Sequence, residues 1–236
     1  VPLCCERAGL PSPRMSTARS ETTAAATRLL VIRHGESEWN ATRRWQGQAD
    51  VALNERGKLQ AAEAALSLGS FDALWASDLL RARLTAEIIG AIIGIGPVRV
   101  DQRLRGTHVG PWEGLTHDEV NAGWPGFLDN FQRPDGFEAY DDAAARMLAA
   151  YADIATLTPG GEVLVVSHGG VIRAVRRLLG SPDVHVPNLG GCWFDVIRTD
   201  DDTRVTVGEV VQLSADVSAP SGFVRTPTAG GDATPL

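Results

Sequence analysis

Apolar and polar positions along the chain fall into two kinds of block. Two short unbroken apolar runs, RLLVIR at Arg28–Arg33 and EVLVVS at Glu162–Ser167, predict strands buried on both faces. Smaller apolar pieces predict further strands at Asp72–Ala76 and Val98–Val100. Between them, alanine and leucine recur at helical spacing over Glu55–Leu68, Leu79–Ile93, Ala139–Leu157 and Val171–Leu179. The third of these helices runs up to a breaker, Pro159-Gly160-Gly161. Trp193–Arg198 and Arg204–Gln212 read as closing strands, with Asp200–Asp202 in a solvated turn between them. Strands alternating with helices predict an α/β fold, a three-layer α/β/α sandwich with a mostly parallel central sheet.

The two ends break this pattern. Residues 1–27 are rich in Ala, Ser, Thr, Arg and Pro without any period, which predicts a disordered N-terminal segment with Met15 as a candidate start. Residues 219–236 lack core-forming positions and predict a flexible tail. The folded domain is therefore expected over 28–218. No internal repeat is evident.

Composition narrows the classes of function. The chain has 236 residues, 44% of them hydrophobic, enough for one sizeable core and a tight fit for two. A net charge of −7 argues against binding along a nucleic-acid duplex. It leaves room for a small anionic partner, because a few arginines reverse the field inside one pocket. Cys4, Cys5 and Cys192 show neither zinc spacing nor a disulfide framework, so a reducing cytoplasm is the default location. No apolar run is long enough to span a bilayer, and Val1–Thr27 does not read as a secretory leader. A C-terminal strand edge is a surface on which two copies can pair as a homodimer.

The candidate chemistry sits at strand ends, where ligands of open α/β sheets bind. The first strand runs into Arg33-His34-Gly35-Glu36. An imidazole there can act as a nucleophile on phosphorus, and the adjacent Arg33 carries a donor fork suited to phosphate. Taken alone, His34 reads equally well as a structural cap. The second buried strand ends the same way, in Ser167-His168-Gly169-Gly170, and this repetition favours chemistry over packing. The third element is Ser77-Asp78-Leu79-Leu80-Arg81-Ala82-Arg83. An arginine in the first turn of a helix opposes the dipole, so Arg81 needs another reason such as phosphate, whereas Arg83 reads as a surface residue. Trp45, Trp112 and Trp124 fit packing as well as pocket lining. Cys192 reads as a small hydrophobe, and His185 as a surface residue.

These motifs, RHGE at Arg33–Glu36, Asn40, Trp45-Gln46-Gly47, Leu53-Asn54-Glu55-Arg56-Gly57, the Ser77–Ala86 block, Gly110-Pro111-Trp112-Glu113-Gly114 and SHGG at Ser167–Gly170, resemble the histidine phosphatase, or phosphoglycerate-mutase-like, superfamily. The likeness runs from about Arg28 to Val217. The resemblance implies a metal-independent phosphomonoester hydrolase that needs no cofactor and acts on a small phosphorylated metabolite. It implies that His34 is the phosphorylated nucleophile and that Arg33, Arg81 and His168 form the phosphate pocket. Asn40, Gln46, Gly169 and Glu113 are the expected substrate contacts. Leu104–Gly110, Leu189-Gly190-Gly191 and Gln212–Ser218 are most similar to the glucosyl-3-phosphoglycerate phosphatase branch.

The chain also departs from the family pattern. Members usually carry a glutamate after the Leu-Arg pair as general acid and base, and this chain has Gly106. Glu113 and His108 are the nearby candidates to replace it. The loop at Gly190–Trp193 is shorter than in the branch, and Glu138 is expected to cap the Ala139–Leu157 helix. Two other readings compete. A cofactor-dependent phosphoglycerate mutase is disfavoured by the short Val98–Gly114 segment. A catalytically weak phosphate-ester-binding module is supported by Gly106 and opposed by His34.

Overall fold

The computed structural model describes residues 25–199 and 202–213. The expected N-terminal disorder up to residue 24, the candidate start Met15, the flexible tail and part of the Asp200–Asp202 turn lie outside the described residues. Thr27 is buried and opens the first strand, so ordered structure begins slightly before the expected boundary.

The elements follow in chain order: β1 (Thr27–Arg33), α1 (Glu38–Ala41), α2 (Glu55–Ala65), β2 (Ala73–Ala76), α3 (Leu80–Ile93), β3 (Arg99–Val100), α4 (His117–Gly123), α5 (Tyr140–Leu157), β4 (Glu162–Ser167), α6 (Gly169–Leu178), β5 (Gly190–Arg198) and β6 (Thr203–Gln212). Two 3-10 turns, Gln102–Leu104 and Gly110–Trp112, precede α4. One six-stranded sheet has the order β3-β2-β4-β1-β5-β6. The first four strands are parallel, and β5 and β6 close one edge as antiparallel neighbours.

The pleat explains why the central runs contain no polar positions. Leu29 and Val31 of β1 join Val163 and Val165 of β4 on one face, packed against Met147, Tyr151 and Ile154 of α5 and Val171 and Val175 of α6. Leu30, Ile32, Leu164 and Val166 point the other way, onto Ala61 and Ala64 of α2 and Ala82, Ala86 and Ile89 of α3. Side chains alternate along a strand, so a strand covered on both sides must be apolar throughout. Alanines on α2 and α3 let those helices lie close to the sheet. A third, smaller core of Val109, Trp112, Val120 and Leu128, with Trp45 and Trp124 against it, stabilises the loops between β3 and α5. The tryptophans are thus packing residues.

Two details differ from the sequence reading. α6 starts at Gly169, directly after the strand end, instead of two residues later. Glu138 does not cap α5. The cap position is Ala139, with no side-chain bond, and the Glu138 carboxylate pairs with Arg146 at 2.7 Å and accepts from the His108 amide at 2.9 Å. Asp141 and Asp142 in the first turn complement the helix dipole in its place.

Candidate active site

β1 and β4 are parallel neighbours with Arg33 opposite Ser167, so His34 and His168 leave the sheet side by side. Their ring centroids are 5.1 Å apart at 63°. His34 Nδ1 lies 2.6 Å from the Gly35 carbonyl oxygen. A carbonyl only accepts, so Nδ1 carries the hydrogen and Nε2 keeps its lone pair. Arg81 Nε donates to that Nε2 at 3.2 Å, which agrees with this tautomer. The backbone of His34 is held on both sides. Its N–H donates to the Ser167 carbonyl at 3.0 Å, and its carbonyl accepts from Asn188 Nδ2 at 2.8 Å. The Gly35 N–H donates to Thr85 Oγ1 at 3.0 Å, and that hydroxyl donates to the Arg81 carbonyl at 2.7 Å, which ties the exit of β1 to α3. Gly35 is sterically required, since a Cβ there would lie 2.4 Å from the Gly57 carbonyl oxygen.

The Arg81 side chain is 1% exposed, and loop carbonyls fix it. Nη1 donates to Ala49 at 2.6 Å and Nη2 to Gly47 at 3.0 Å. The N-terminus of α3 lacks a side-chain cap from Leu79, and Asp50 Oδ1 accepts the Leu80 N–H at 2.6 Å instead. Arg33 donates from Nη1 to the Val186 carbonyl at 3.0 Å. Gly169 makes room for it, because a Cβ there would meet Arg33 Cδ at 3.0 Å and the Val186 carbonyl oxygen at 3.2 Å.

Electrostatics follow from burial and clustering. Burial first, then Arg81 and Arg33, hold the His34 pKa well below the ordinary imidazole value. Burial lowers Arg81 to about 10, helped by Arg33 and opposed by Asp50 and Glu113. Burial also lowers Arg33 to about 10, against the pull of Glu36. Both arginines stay cationic near neutral pH, while His34 stays neutral. His168 is likewise depressed, by burial and then by Arg81, His34, Arg146 and Arg33. It is 5% exposed, and neither of its ring nitrogens has a hydrogen-bond partner. A buried polar group left unpaired costs about 1–3 kcal/mol. A phosphoryl oxygen is the kind of acceptor that would satisfy it.

The other expected contacts fall around this centre. Asn40 Oδ1 is used by the Ser37 backbone N–H at 3.2 Å, as part of the α1 capping box, and lies 3.4 Å from Asn188 Nδ2. Gln46 Oε1 accepts from Ser37 Oγ at 2.8 Å. In both, the amide nitrogen is the group left to meet a ligand. Glu113 is placed differently from a substrate contact. Its Oε2 accepts the Gln48 and Ala49 amides at 3.0 and 2.9 Å, and so braces the loop whose carbonyls hold Arg81. His108 is exposed, with Nδ1 near the Gly136 carbonyl at 3.0 Å.

Sequence reasoning missed three residues. Asn188 sits in an irregular stretch with no local signal. Thr85 is hidden inside a helix. Arg146 of α5 donates to the carbonyls of Arg103 and Arg105 at 2.7 Å and of Gly106 at 2.9 Å, which pins the segment beside His168. A lone arginine next to the apolar stripe of α5 is the signal that would have found it. Among the described residues no group of three or more His, Cys, Asp or Glu side chains is arranged to hold a metal ion. No described helix is long and apolar enough to cross a membrane.

Comparison with known proteins agrees with this geometry. The model of the histidine phosphatase superfamily (branch 1) matches residues 29–207. Glucosyl-3-phosphoglycerate phosphatase of Mycobacterium tuberculosis is 41% identical over 182 residues, 70% of this chain and 81% of that protein. A metal-independent phosphoserine phosphatase of Arabidopsis thaliana is 36% identical over 159 residues, 63% of this chain and 67% of that one. The structure of mycobacterial glucosyl-3-phosphoglycerate phosphatase complexed with VO3 superposes with a TM-score of 0.66 at 35% identity, covering 77% of this chain and 98% of that one. The chain belongs to the histidine phosphatase superfamily, and by class it is a phosphatase with that superfamily's α/β fold.

Proposed function

We propose that the chain hydrolyses a small phosphomonoester without a metal ion, through a phosphohistidine on His34. The observation that carries this reading is the pairing of a neutral His34, Nε2 lone pair free of its own proton, with an unpartnered buried His168 whose ring lies against it, both within the field of Arg33 and Arg81. In the first step the Nε2–P bond forms and the P–O bond to the leaving group breaks, its electron pair going to the leaving oxygen. Arg33 and Arg81 offset the charge that builds on the phosphoryl oxygens, and His168 donates a ring N–H to them. In the second step water attacks phosphorus and loses a proton to solvent, the Nε2–P bond breaks, and His34 regains its lone pair. Asn40, Gln46 and Gly169 frame the substrate side, and Glu113 supports the Arg81 loop.

Glucosyl-3-phosphoglycerate is the first substrate to test, because a relative at 41% identity is named for it. We place the reaction in the cytoplasm, in keeping with a free, buried Cys192. The test is phosphate release by purified protein, in chelator, from a panel of phosphomonoesters. Release that disappears in His34→Ala, together with an acid-labile, alkali-stable label on the native protein, is the expected result. Full release by His34→Ala would reject the mechanism. Dependence on 2,3-bisphosphoglycerate would turn the assignment to a mutase.

A further inference from the structure

The pocket holds two imidazoles and two arginines, and the protons and carboxylates around it are already committed. Glu36 accepts from Asn54 Nδ2 at 2.7 Å and lies 3.7 Å from Arg56. Asp50 caps α3 through the Leu80 amide. Asp78 makes a two-pronged pair with Arg105 at 2.7 and 2.6 Å. Glu113 accepts two loop amides and Glu138 is paired with Arg146. Burial, then the neighbouring arginines, hold both His34 and His168 in the neutral form.

One position faces the His168 ring without supplying any side chain. A Cβ on Gly106 would lie 3.3 Å from His168 Cγ and 3.3 Å from the Gly47 carbonyl oxygen. The Gly106 backbone is not free to move away, since its carbonyl accepts from Arg146 Nη2 at 2.9 Å and Gln48 Nε2 at 3.1 Å. The wall beside the phosphoryl group is therefore bare backbone.

From this we infer that the pocket expels its leaving group unprotonated, so that it is selective for phosphoryl donors whose leaving oxygen is a weak base: aryl, enol and acyl phosphates. The inference rests on the phosphohistidine mechanism proposed above and narrows its substrates. His34 Nε2 attacks phosphorus, and the P–O bond breaks with its electron pair on the departing oxygen. That oxygen leaves as an anion and takes its proton from solvent afterwards. An alkoxide is a poor anion to expel, so alkyl phosphates, glucosyl-3-phosphoglycerate among them, turn over slowly. A positioned acid is typically worth about 10²- to 10⁴-fold, and this is the deficit expected for alkyl esters.

The test measures kcat/KM for substituted phenyl phosphates and alkyl phosphates with the native protein and Gly106→Glu. The native protein should show a steep fall in rate as leaving-group basicity rises. The variant should show a shallow one, gaining about 10²- to 10⁴-fold on alkyl esters and little on 4-nitrophenyl phosphate. The added side chain must fit against His168, so a second measurement does not depend on that variant. Formate added to the native protein in mildly acidic buffer should accelerate alkyl esters selectively, with formic acid giving its proton to the leaving oxygen. A shallow dependence in the native protein, with no effect of formate, would show that a protein group already supplies the proton, and would overturn the inference alone. Absence of labelled His34 even with 4-nitrophenyl phosphate would instead overturn the phosphohistidine mechanism, and the inference with it.

Discussion

At the scale of single residues, the site is built from groups kept in unusual states by their surroundings. His34 and His168 have folded-state pKa values below the unfolded value of about 6.5. Between those two limits the unfolded chain binds more protons than the folded one, so stability falls as pH falls. The contribution is complete above the unfolded value and is lost progressively as pH drops through the folded ones. Melting temperature without ligand should therefore decline below about pH 6.5, and His34→Ala or His168→Ala should flatten the decline. An unchanged slope in both variants would assign acid sensitivity to other groups. Asn188 is the second residue of interest, because its amide bonds the His34 carbonyl and reaches the Asn40 side chain. Asn188→Ala leaves that carbonyl unpaired in a buried place and should cost about 1–3 kcal/mol in urea unfolding. It should also lower kcat more than it raises KM, since it loosens His34 and not the arginines. That His34, His168 and Arg81 lie together was legible in the sequence, because strand ends and a dipole-opposing arginine are local signals. Asn188 was not, because its role depends on a contact 154 residues away in sequence.

At the scale of elements, legibility followed length and burial. β1 and β4 were legible because a strand covered on both faces has no polar positions to confuse the pattern. α1, with four residues, and α4, with seven, are too short to show a period. α4 did carry a signal of another kind, the capping box Thr116-His117-Asp118-Glu119, in which Glu119 Oε2 accepts the Thr116 amide at 2.7 Å. Glu138 was misread as a cap because a carboxylate just before a helix usually serves that purpose. Its partner is Arg146, two turns further along α5, and burial alone would raise its pKa before the Arg146 and His108 bonds bring it down. This pair joins an element to the site, since Arg146 holds the carbonyls of Arg103, Arg105 and Gly106. Arg146→Ala removes three carbonyl partners and strands Glu138, with an expected stability loss of about 1–3 kcal/mol. The Gly106 segment should then exchange its amide hydrogens faster, while β1 and β4 keep theirs. Equal loosening of the strands would mean that Arg146 supports the whole domain and not that segment.

At the scale of the whole molecule, the sheet order concentrates positive charge in an acidic protein. β1 and β4 are neighbours and β2 lies beside β4, so the carboxyl ends of three parallel strands open on one crevice. Arg33 leaves from the first and Arg81 from the helix after the third, and among the described residues neither forms an ion pair with a carboxylate. The chain carries a net charge of −7, yet these two cations are bonded only to neutral groups. Enclosed charge without a counter-ion is costly, and a bound dianion offsets that cost. Inorganic phosphate should therefore stabilise the fold by mass action, by about 2.7 kcal/mol at a hundredfold excess over its dissociation constant. The rise in melting temperature with added phosphate measures this stabilisation. Arg81→Gln keeps donors for the Gly47 and Ala49 carbonyls but removes the charge, and it should abolish most of the rise. If the variant responded to phosphate as the native protein does, the anion would be binding elsewhere on the surface and the crevice would not be its site.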